Sequence, residues 1–231
     1  NNFFELIGNG AKIVAKKIME RDDVKKIVFL ISSNSHPVME SISRLKTWAS
    51  NGGFEVEVVH EKEKLSKGIF LFLISGTEKI EKKYRDIYEK AFVIHASDLP
   101  KGRGWSPYIW EILEGANEIT ISMIEAEDEI DSGDIWGQLK IKLEGHELLD
   151  EILNKIFEAQ EFLIKDVVQN YHNRNGKKQI GSPGKYYRKR IPKDSQLDIK
   201  KTIEENFNLL RVVDNKRFPA FFEKNGFKYT I

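Results

Sequence analysis

The sequence predicts an α/β fold, a mostly parallel, layered sheet flanked by helices, with a small C-terminal extension ending in a β-hairpin. Three observations predict it. The continuous apolar runs at 27–32 and 69–74 have the character of strands buried on both faces. Segments of helical spacing alternate with the strand-like runs, as βα units require. One long amphipathic stretch, 147–171, repeats Leu149, Ile152, Ile156, Leu163 and Val167 at helical spacing and is suited to covering a sheet face. With 231 residues and 40% hydrophobic content, the chain can bury a substantial core.

Taken in order, residues 3–7 read as a short strand, Gly8-Asn9-Gly10 as a turn, and 11–20 as a helix carried by Ile13, Val14, Lys17 and Ile18. After the strand at 27–32, a helix enters through Pro37 and runs to Asn51, where Gly52-Gly53 ends it. Phe54, Val56 and Val58 alternate with Glu55 and Glu57, the pattern of a strand with one wet face. Beyond the strand at 69–74, residues 79–90 read as a charged surface helix and 91–95 as the strand that delivers His95. A short helix at Pro107–Leu113 and strands at 119–124 and 135–143 precede the long helix. Residues 173–201 change character: ten basic residues face only Asp194 and Asp198, with Gly, Pro, Tyr186 and Tyr187 interspersed. Residues 203–213 read as one more helix, and 218–231 as a hairpin turning at Asn225-Gly226. The expected organisation is a domain over 1–172 and an extension over 173–231, without internal repeats.

Composition narrows the function. Lys+Arg 37 against Asp+Glu 36 leaves a net charge of +1 and no global field for nucleic acid or an acidic membrane. The absence of Cys removes disulfides and thiolate metal sites and fits a reducing cytosol, so a cytoplasmic location is expected. The opening Asn1-Asn2-Phe3-Phe4-Glu5 lacks Met and the basic start of a signal peptide, and no apolar run approaches membrane length. His36, His60, His146 and His172 lack ligand spacing and read as surface or cap residues; no metal site is expected.

Two residues carry the chemistry. His95 leaves the end of a strand, where open sheets place their active groups. Asp131 sits on the glycine-bearing turn Asp131-Ser132-Gly133-Asp134 beyond the next strand. An imidazole with a nearby carboxylate is the minimum equipment for moving a proton at neutral pH. Gly8-Asn9-Gly10 is either a phosphate cradle at a helix start or a plain tight turn, since it lacks the full dinucleotide fingerprint. The basic stretch 174–193 is either a phosphate grip or a solvated excursion. Trp105 and Trp110 read as packing residues, Trp105 being the better stacking platform because Gly104 precedes it.

His95-Ala96-Ser97-Asp98-Leu99-Pro100, Gly102-Arg103-Gly104, Ser106-Pro107, Gly115 and Asp131-Ser132-Gly133-Asp134-Ile135 resemble, in that order, stretches of the folate-dependent formyltransferase family. Downstream, Tyr187-Arg188-Lys189-Arg190-Ile191-Pro192-Lys193-Asp194, Asp198, Arg211, Asn215, Phe218-Pro219-Ala220-Phe221-Phe222 and Asn225-Gly226 resemble the family's post-domain segment. The resemblance spans 91–231; over 1–90 only the order of strands and helices agrees. It implies a Rossmann-like α/β domain and transfer of a formyl group from N10-formyltetrahydrofolate to an amine. It implies catalytic roles for His95 and Asp131, which match the family's His and Asp. The family's Asn is expected two residues before the His, where this chain has Val93. Ser97, Lys101 and the backbone N–H groups of 101–105 are the remaining candidates for an oxyanion donor, and the sequence does not choose among them.

By the same resemblance, the pterin slot lies between 75–80 and 126–131, with Ser75, Ile80, Ala126, Glu127, Asp128 and Ile130 as its lining, and Gly8, Asn9, Lys101, Arg103 and Trp105 are expected to meet the amine substrate. Family members formylate initiator methionyl-tRNA, glycinamide ribonucleotide, or amino sugars on nucleotide carriers. The chain stops at Ile231, before the tRNA enzymes' C-terminal barrel, and its net charge of +1 gives little counterion release on a large RNA. Glycinamide ribonucleotide enzymes lack the basic excursion and the pattern of 188–194. The expected substrate is therefore a nucleotide-linked deoxyamino sugar destined for surface polysaccharide. The alternatives are methionyl-tRNA or another amine, and a catalytically impaired relative that binds folate or a partner. Phe218, Phe221, Phe222 and Phe227 offer a surface for a homodimer.

Overall fold

The computed structural model describes residues 25–76 and 78–231. The expected strand at 3–7, the Gly8-Asn9-Gly10 turn and the helix at 11–20 lie outside the described residues. Among those described, six strands form one sheet in the order β2-β1-β3-β4-β6-β7. These are β1 (Lys26–Ile31), β2 (Glu55–Val59), β3 (Gly68–Ile74), β4 (Tyr88–His95), β6 (Glu118–Glu125) and β7 (Ile135–Lys142). β1 runs parallel to β2 and β3, and β3 parallel to β4, while β4 and β6 are antiparallel. The sheet is mixed and mostly parallel, as the buried apolar runs required.

The chain divides into two compact units. Of the described residues, the first comprises those up to His95, Ser122–Leu139 and Phe157–Ile180; the second comprises Ala96–Ile121, Lys140–Ile156 and Gly181–Ile231. In the first unit, side chains alternate between the two faces of the central strands. On one face Phe72 stacks on Phe29 at 5.5 Å and on Phe92 at 5.6 Å, and Phe92 meets Trp136 edge-on at 5.3 Å. Helix α1 (Met39–Asn51) buries Ile42, Leu45 and Ala49, and the long helix α4 (Leu149–Asn170) buries Leu163, Ile164, Val167 and Val168 within this unit. Arg44 of α1 donates to Glu161 of α4 at 2.8 Å. On the other face Val28, Leu30, Leu71 and Ala91 form a cluster with Val59, Ile80 and Tyr88, and Leu73 and Ala126 pack against it. Each fully buried Phe or Ile contributes about 1.5–3 kcal/mol.

In the second unit, β5 (Arg103–Gly104) pairs with β8 (Tyr186–Tyr187) in parallel, and α3 (Pro107–Leu113) packs on α5 (Ile203–Arg211). Trp110 stacks on Tyr187 at 6.4 Å, and Arg188 lies over Trp110. Arg211, 1% exposed, forms an ion pair with Glu147 at 3.5 Å and donates to Asn117 at 3.2 Å. Thr202 and Glu205 form a reciprocal capping box at the start of α5. The terminal hairpin, β9 (Phe221–Lys224) and β10 (Phe227–Thr230), turns at Asn225-Gly226 as expected, both residues adopting positive φ.

The charged surface helix expected over 79–90 is largely absent. Only α2 (Lys82–Arg85) is helical, and the chain from Tyr88 onward has joined β4, where Gly68 pairs with Tyr88 and Phe70 with Lys90. Tyr84, Ile87 and Tyr88 pack with the apolar cluster, so tertiary burial outweighed the helical charge pattern. The long helix begins at Leu149 rather than Glu147, because the Glu147 carboxylate accepts from the N–H groups of Glu144 and Gly145. Among the described residues no helix is long and apolar enough to cross a membrane.

Candidate active site

Strand β4 delivers His95 at its end, on the face that also carries Ala91 and Val93. The imidazole is buried, 9% exposed, and its Nδ1 lies 3.5 Å from Oδ1 of Asp131, itself 7% exposed. This is ion-pair range and longer than a normal hydrogen bond. The two residues singled out in the sequence therefore meet.

Asp131 stands on the turn between β6 and β7 with φ 57°. A non-glycine residue in that left-handed region costs about 1–3 kcal/mol and persists only where its surroundings fix it. Three contacts do so here. The Ser132 hydroxyl donates to the Glu129 carbonyl at 2.8 Å. A Cβ on Gly133 would lie 1.8 Å from the Glu125 carbonyl oxygen, so only glycine lets the turn press against β6. The side-chain amide of Gln179 donates to the carbonyls of Asp131 at 2.8 Å and Gly133 at 2.9 Å. The segment carrying Gln179 is itself fastened by two backbone hydrogen bonds between Ile135 and Lys177, at 2.7 and 2.9 Å.

Beside His95, the antiparallel register sets Ser122 opposite it and Ile124 opposite Val93. The Gln138 amide donates to the Ser122 hydroxyl at 2.9 Å. Val93 lies between Leu73 and Ile124 in register and brings no hydrogen-bond donor.

The expected pterin-slot residues are brought together in part. Ile80, 6% exposed, and Ala126 share the apolar cluster on the His95 face. Arg85, itself buried, donates to the Ala126 carbonyl and pairs with the Asp128 carboxylate, tying the loop to α2. Ile130 is 54% exposed, Glu127 is exposed, and Ser75 is exposed with φ 53° just beyond β3. Gly8 and Asn9 lie outside the described residues. Lys101, Arg103 and Trp105 belong to the second unit, where Lys101 pairs with Asp98 at 3.7 Å, Arg103 starts β5, and Trp105 sits under the Lys189 ammonium at 4.8 Å.

Sequence reading missed Arg85, Ser122, Gln138 and Gln179. Ser122 had a signal: a hydroxyl in an otherwise apolar strand, at the position that antiparallel pairing sets opposite His95. Gln179 had none, because the register of 177–179 against 131–135 is set by tertiary pairing. Of the other histidines, His36 accepts from the Val38 N–H at 3.2 Å, and His60 Nδ1 lies 2.9 Å from the Ile31 carbonyl oxygen. The described residues contain no group of three or more His, Cys, Asp or Glu able to hold a metal ion.

No family model matches the chain. Curated relatives do. Methionyl-tRNA formyltransferase of Finegoldia magna is 33% identical over 103 residues, covering 44% of this chain and 33% of the relative. That of Pseudothermotoga lettingae is 30% identical over 139 residues, 59% of this chain and 46% of the relative. The chain thus spans between a third and a half of the length of these relatives. Among solved structures, methionyl-tRNA formyltransferase from Clostridium thermocellum superposes with a TM-score of 0.73 at 18% identity, covering 89% of this chain and 96% of the other. HypX from Aquifex aeolicus in complex with tetrahydrofolic acid has a TM-score of 0.73 at 20% identity, over 87% of this chain and 36% of HypX. A 4-N formyltransferase from Francisella tularensis has a TM-score of 0.67 at 18% identity, over 90% of this chain and 96% of the other. These solved structures share the fold of this chain. The chain is related to the formyltransferases.

Proposed function

We propose that the protein transfers a formyl group from N10-formyltetrahydrofolate to the amine of a nucleotide-linked deoxyamino sugar, in the cytoplasm. The observation that carries this reading is the buried His95–Asp131 pair, set at the end of β4 on the face that also holds the Ile80–Ala126 cluster. The residues fit a flat heterocycle on their apolar side. Leu73, Ile80 and Ala126 offer a wall, and the exposed loop 127–130 offers main-chain groups and the Ile130 side chain. The Ala126 carbonyl and the Asp128 carboxylate already serve Arg85 and hold the loop in shape.

When bound, N10-formyltetrahydrofolate supplies the electrophilic formyl carbon. His95, protonated, donates a hydrogen bond to the oxygen that gains charge as the amine adds. Asp131 orients the imidazole and takes the proton released by the attacking nitrogen, directly or through water. His95 then passes a proton to the departing nitrogen and recovers one from Asp131, so that the new C–N bond forms before the old one breaks and both residues return to their starting states. With valine at 93 the oxyanion lacks one side-chain donor, a loss worth about 10²–10³ in rate in a known hydrolase.

A sugar nucleotide is favoured over RNA by the local electrostatics of the basic segment. Arg174 pairs with Asp166, Lys185 with Glu114 and Arg188 with Asp194, while Arg190 is buried against the Val212 carbonyl and the Ser195 hydroxyl. Those charges are neutralised or satisfied within the protein, which leaves fewer to release counterions from a nucleic acid. Methionyl-tRNA is the second reading, because the curated relatives carry that name.

The test is incubation with N10-formyltetrahydrofolate and a panel of dTDP- and UDP-linked amino sugars, read by mass spectrometry for the formyl gain, with methionyl-tRNA as a parallel substrate. A gain on an amino sugar supports the proposal. A gain on methionyl-tRNA alone replaces its substrate, and no gain on any amine leaves a folate- or partner-binding relative.

A further inference from the structure

We propose that Gln179 is a positioning residue for Asp131, acting through the turn that carries the carboxylate; the effect on turnover rests on the formyl-transfer reading above. The side-chain amide bridges two carbonyls of one turn, at 2.8 Å to Asp131 and 2.9 Å to Gly133. Two acceptors fix which end of the amide faces them, since only the NH₂ group has two hydrogens to give. The first acceptor is the carbonyl of Asp131 itself, where the chain passes through left-handed geometry, and the second follows two residues on. The Asp131 side chain then emerges toward His95 Nδ1. The Ile135–Lys177 pairing sets the register that aims Gln179 at the turn, and the Gly133–Glu125 approach closes the opposite side. The first part of the basic excursion thereby becomes a strap over the catalytic turn.

A residue of this kind sets where Asp131 stands and leaves substrate affinity alone. Gln179→Ala removes both donors. Gln179→Glu keeps the length but, ionised, presents only acceptors to two carbonyls, and regains one donor when protonated. We expect Gln179→Ala to lower kcat about 10- to 100-fold, the scale of a displaced catalytic group, with KM for either substrate changed by less than about threefold. Gln179→Glu should be at least as impaired at pH 8 and recover relative to the wild type as the pH is lowered. Hydrogen exchange should show lost protection of the amides that fasten the turn, Glu125, Ile135 and Lys177, in Gln179→Ala, with β1 and β3 unchanged.

Wild-type kcat in Gln179→Ala, alongside an impaired Asp131→Asn control, would overturn the proposal. So would unchanged protection of the turn, or a rise in KM that accounts for the whole loss. If Asp131→Asn itself turns over normally, the formyl-transfer roles fail instead, and exchange at the Glu125, Ile135 and Lys177 amides still decides whether Gln179 holds the turn. Should Gln179→Ala unfold, Gln179→Glu and its pH dependence carry the test.

Discussion

His95 Nδ1 and Asp131 Oδ1 lie 3.5 Å apart with both side chains less than one-tenth exposed, though the first ends a strand and the second rides a turn beyond the neighbouring strand. The sheet makes this meeting possible. The antiparallel pairing of β4 with β6 runs Phe92 to His95 against Glu125 to Ser122, so the loop leaving β6 sets out beside Phe92 and must turn back to bring Asp131 to His95. The turn is held from outside the two side chains, by Gly133 against β6 and by the Gln179 amide.

His95→Ala should lower kcat by about 10²–10⁴, the usual range for a lost acid–base group, with an unchanged circular dichroism spectrum and thermal transition. Full activity would remove the imidazole from the reaction. Asp131→Asn keeps the shape and loses the charge, so kcat should fall more than KM for folate rises. Loss of folding in that variant would make Asp131 a turn residue only.

Val93→Asn places an amide on the same strand face as His95, flanked in register by Leu73 and Ile124. If the oxyanion lacks a donor, turnover should rise, by up to the 10²–10³ that one such donor is worth. The amide also enters a partly buried apolar setting, so a stability loss of about 1–3 kcal/mol should accompany the gain. Steady-state kinetics and denaturant unfolding on the same preparation separate the two effects. A folded variant with no gain would mean that another group already serves the oxyanion.

The fold was legible where burial and periodicity agree. The runs that became β1 and β3 were read to within a residue, α3 matched at both ends, and the Asn225-Gly226 turn was marked by its own chemistry. Reading failed at residues 79–90, where lysine spacing pointed to a helix while Tyr84, Ile87 and Tyr88 were drawn into the sheet's apolar cluster. The His95–Asp131 pair was visible because strand-end His and turn-borne Asp are local signals, strengthened by the family resemblance. Gln179, Gln138 and Arg85 were invisible because their partners are distant in sequence, and polar residues on a charged chain carry no periodicity. Which end of Gln179 faces the turn is decided only once Asp131 and Gly133 present their carbonyls.

Glu147 anchors the second unit and should reveal itself in acid. Burial alone would raise its carboxyl. The Lys155 ammonium at 2.7 Å and the backbone N–H groups of Glu144 and Gly145 outweigh that and hold it down at about 2. A depressed carboxyl contributes stability above its unfolded value of 4.5, and that contribution is lost as pH falls from there toward about 2. Glu147→Gln leaves the Arg211 guanidinium, 1% exposed, without its counter-charge, and should cost about 3–5 kcal/mol at pH 7. Urea unfolding checks it, and a loss below about 1 kcal/mol would reduce the pair to packing.

Glu111 has the opposite sign. Burial first, and then the negative charges of Asp98 and Glu114, push its carboxyl from 4.5 up to about 7. The folded protein therefore keeps a proton that the unfolded chain has already released, throughout the interval between those two values. Stability should fall as pH rises through that interval and level off above it, because the ionised form is the one the fold disfavours. Glu111→Gln mimics the protonated state and removes this dependence. The variant should match the wild type near pH 4 and exceed it by about 1–2 kcal/mol at pH 8, a figure that allows for solvent screening of a partly exposed group. Because other carboxylates titrate over the same range, the quantity to follow is the difference in unfolding free energy between variant and wild type at each pH. A difference that stays flat from pH 4 to pH 8 would mean that Glu111 ionises in the fold as readily as in the open chain, and that the Asp98 and Glu114 charges are screened from it.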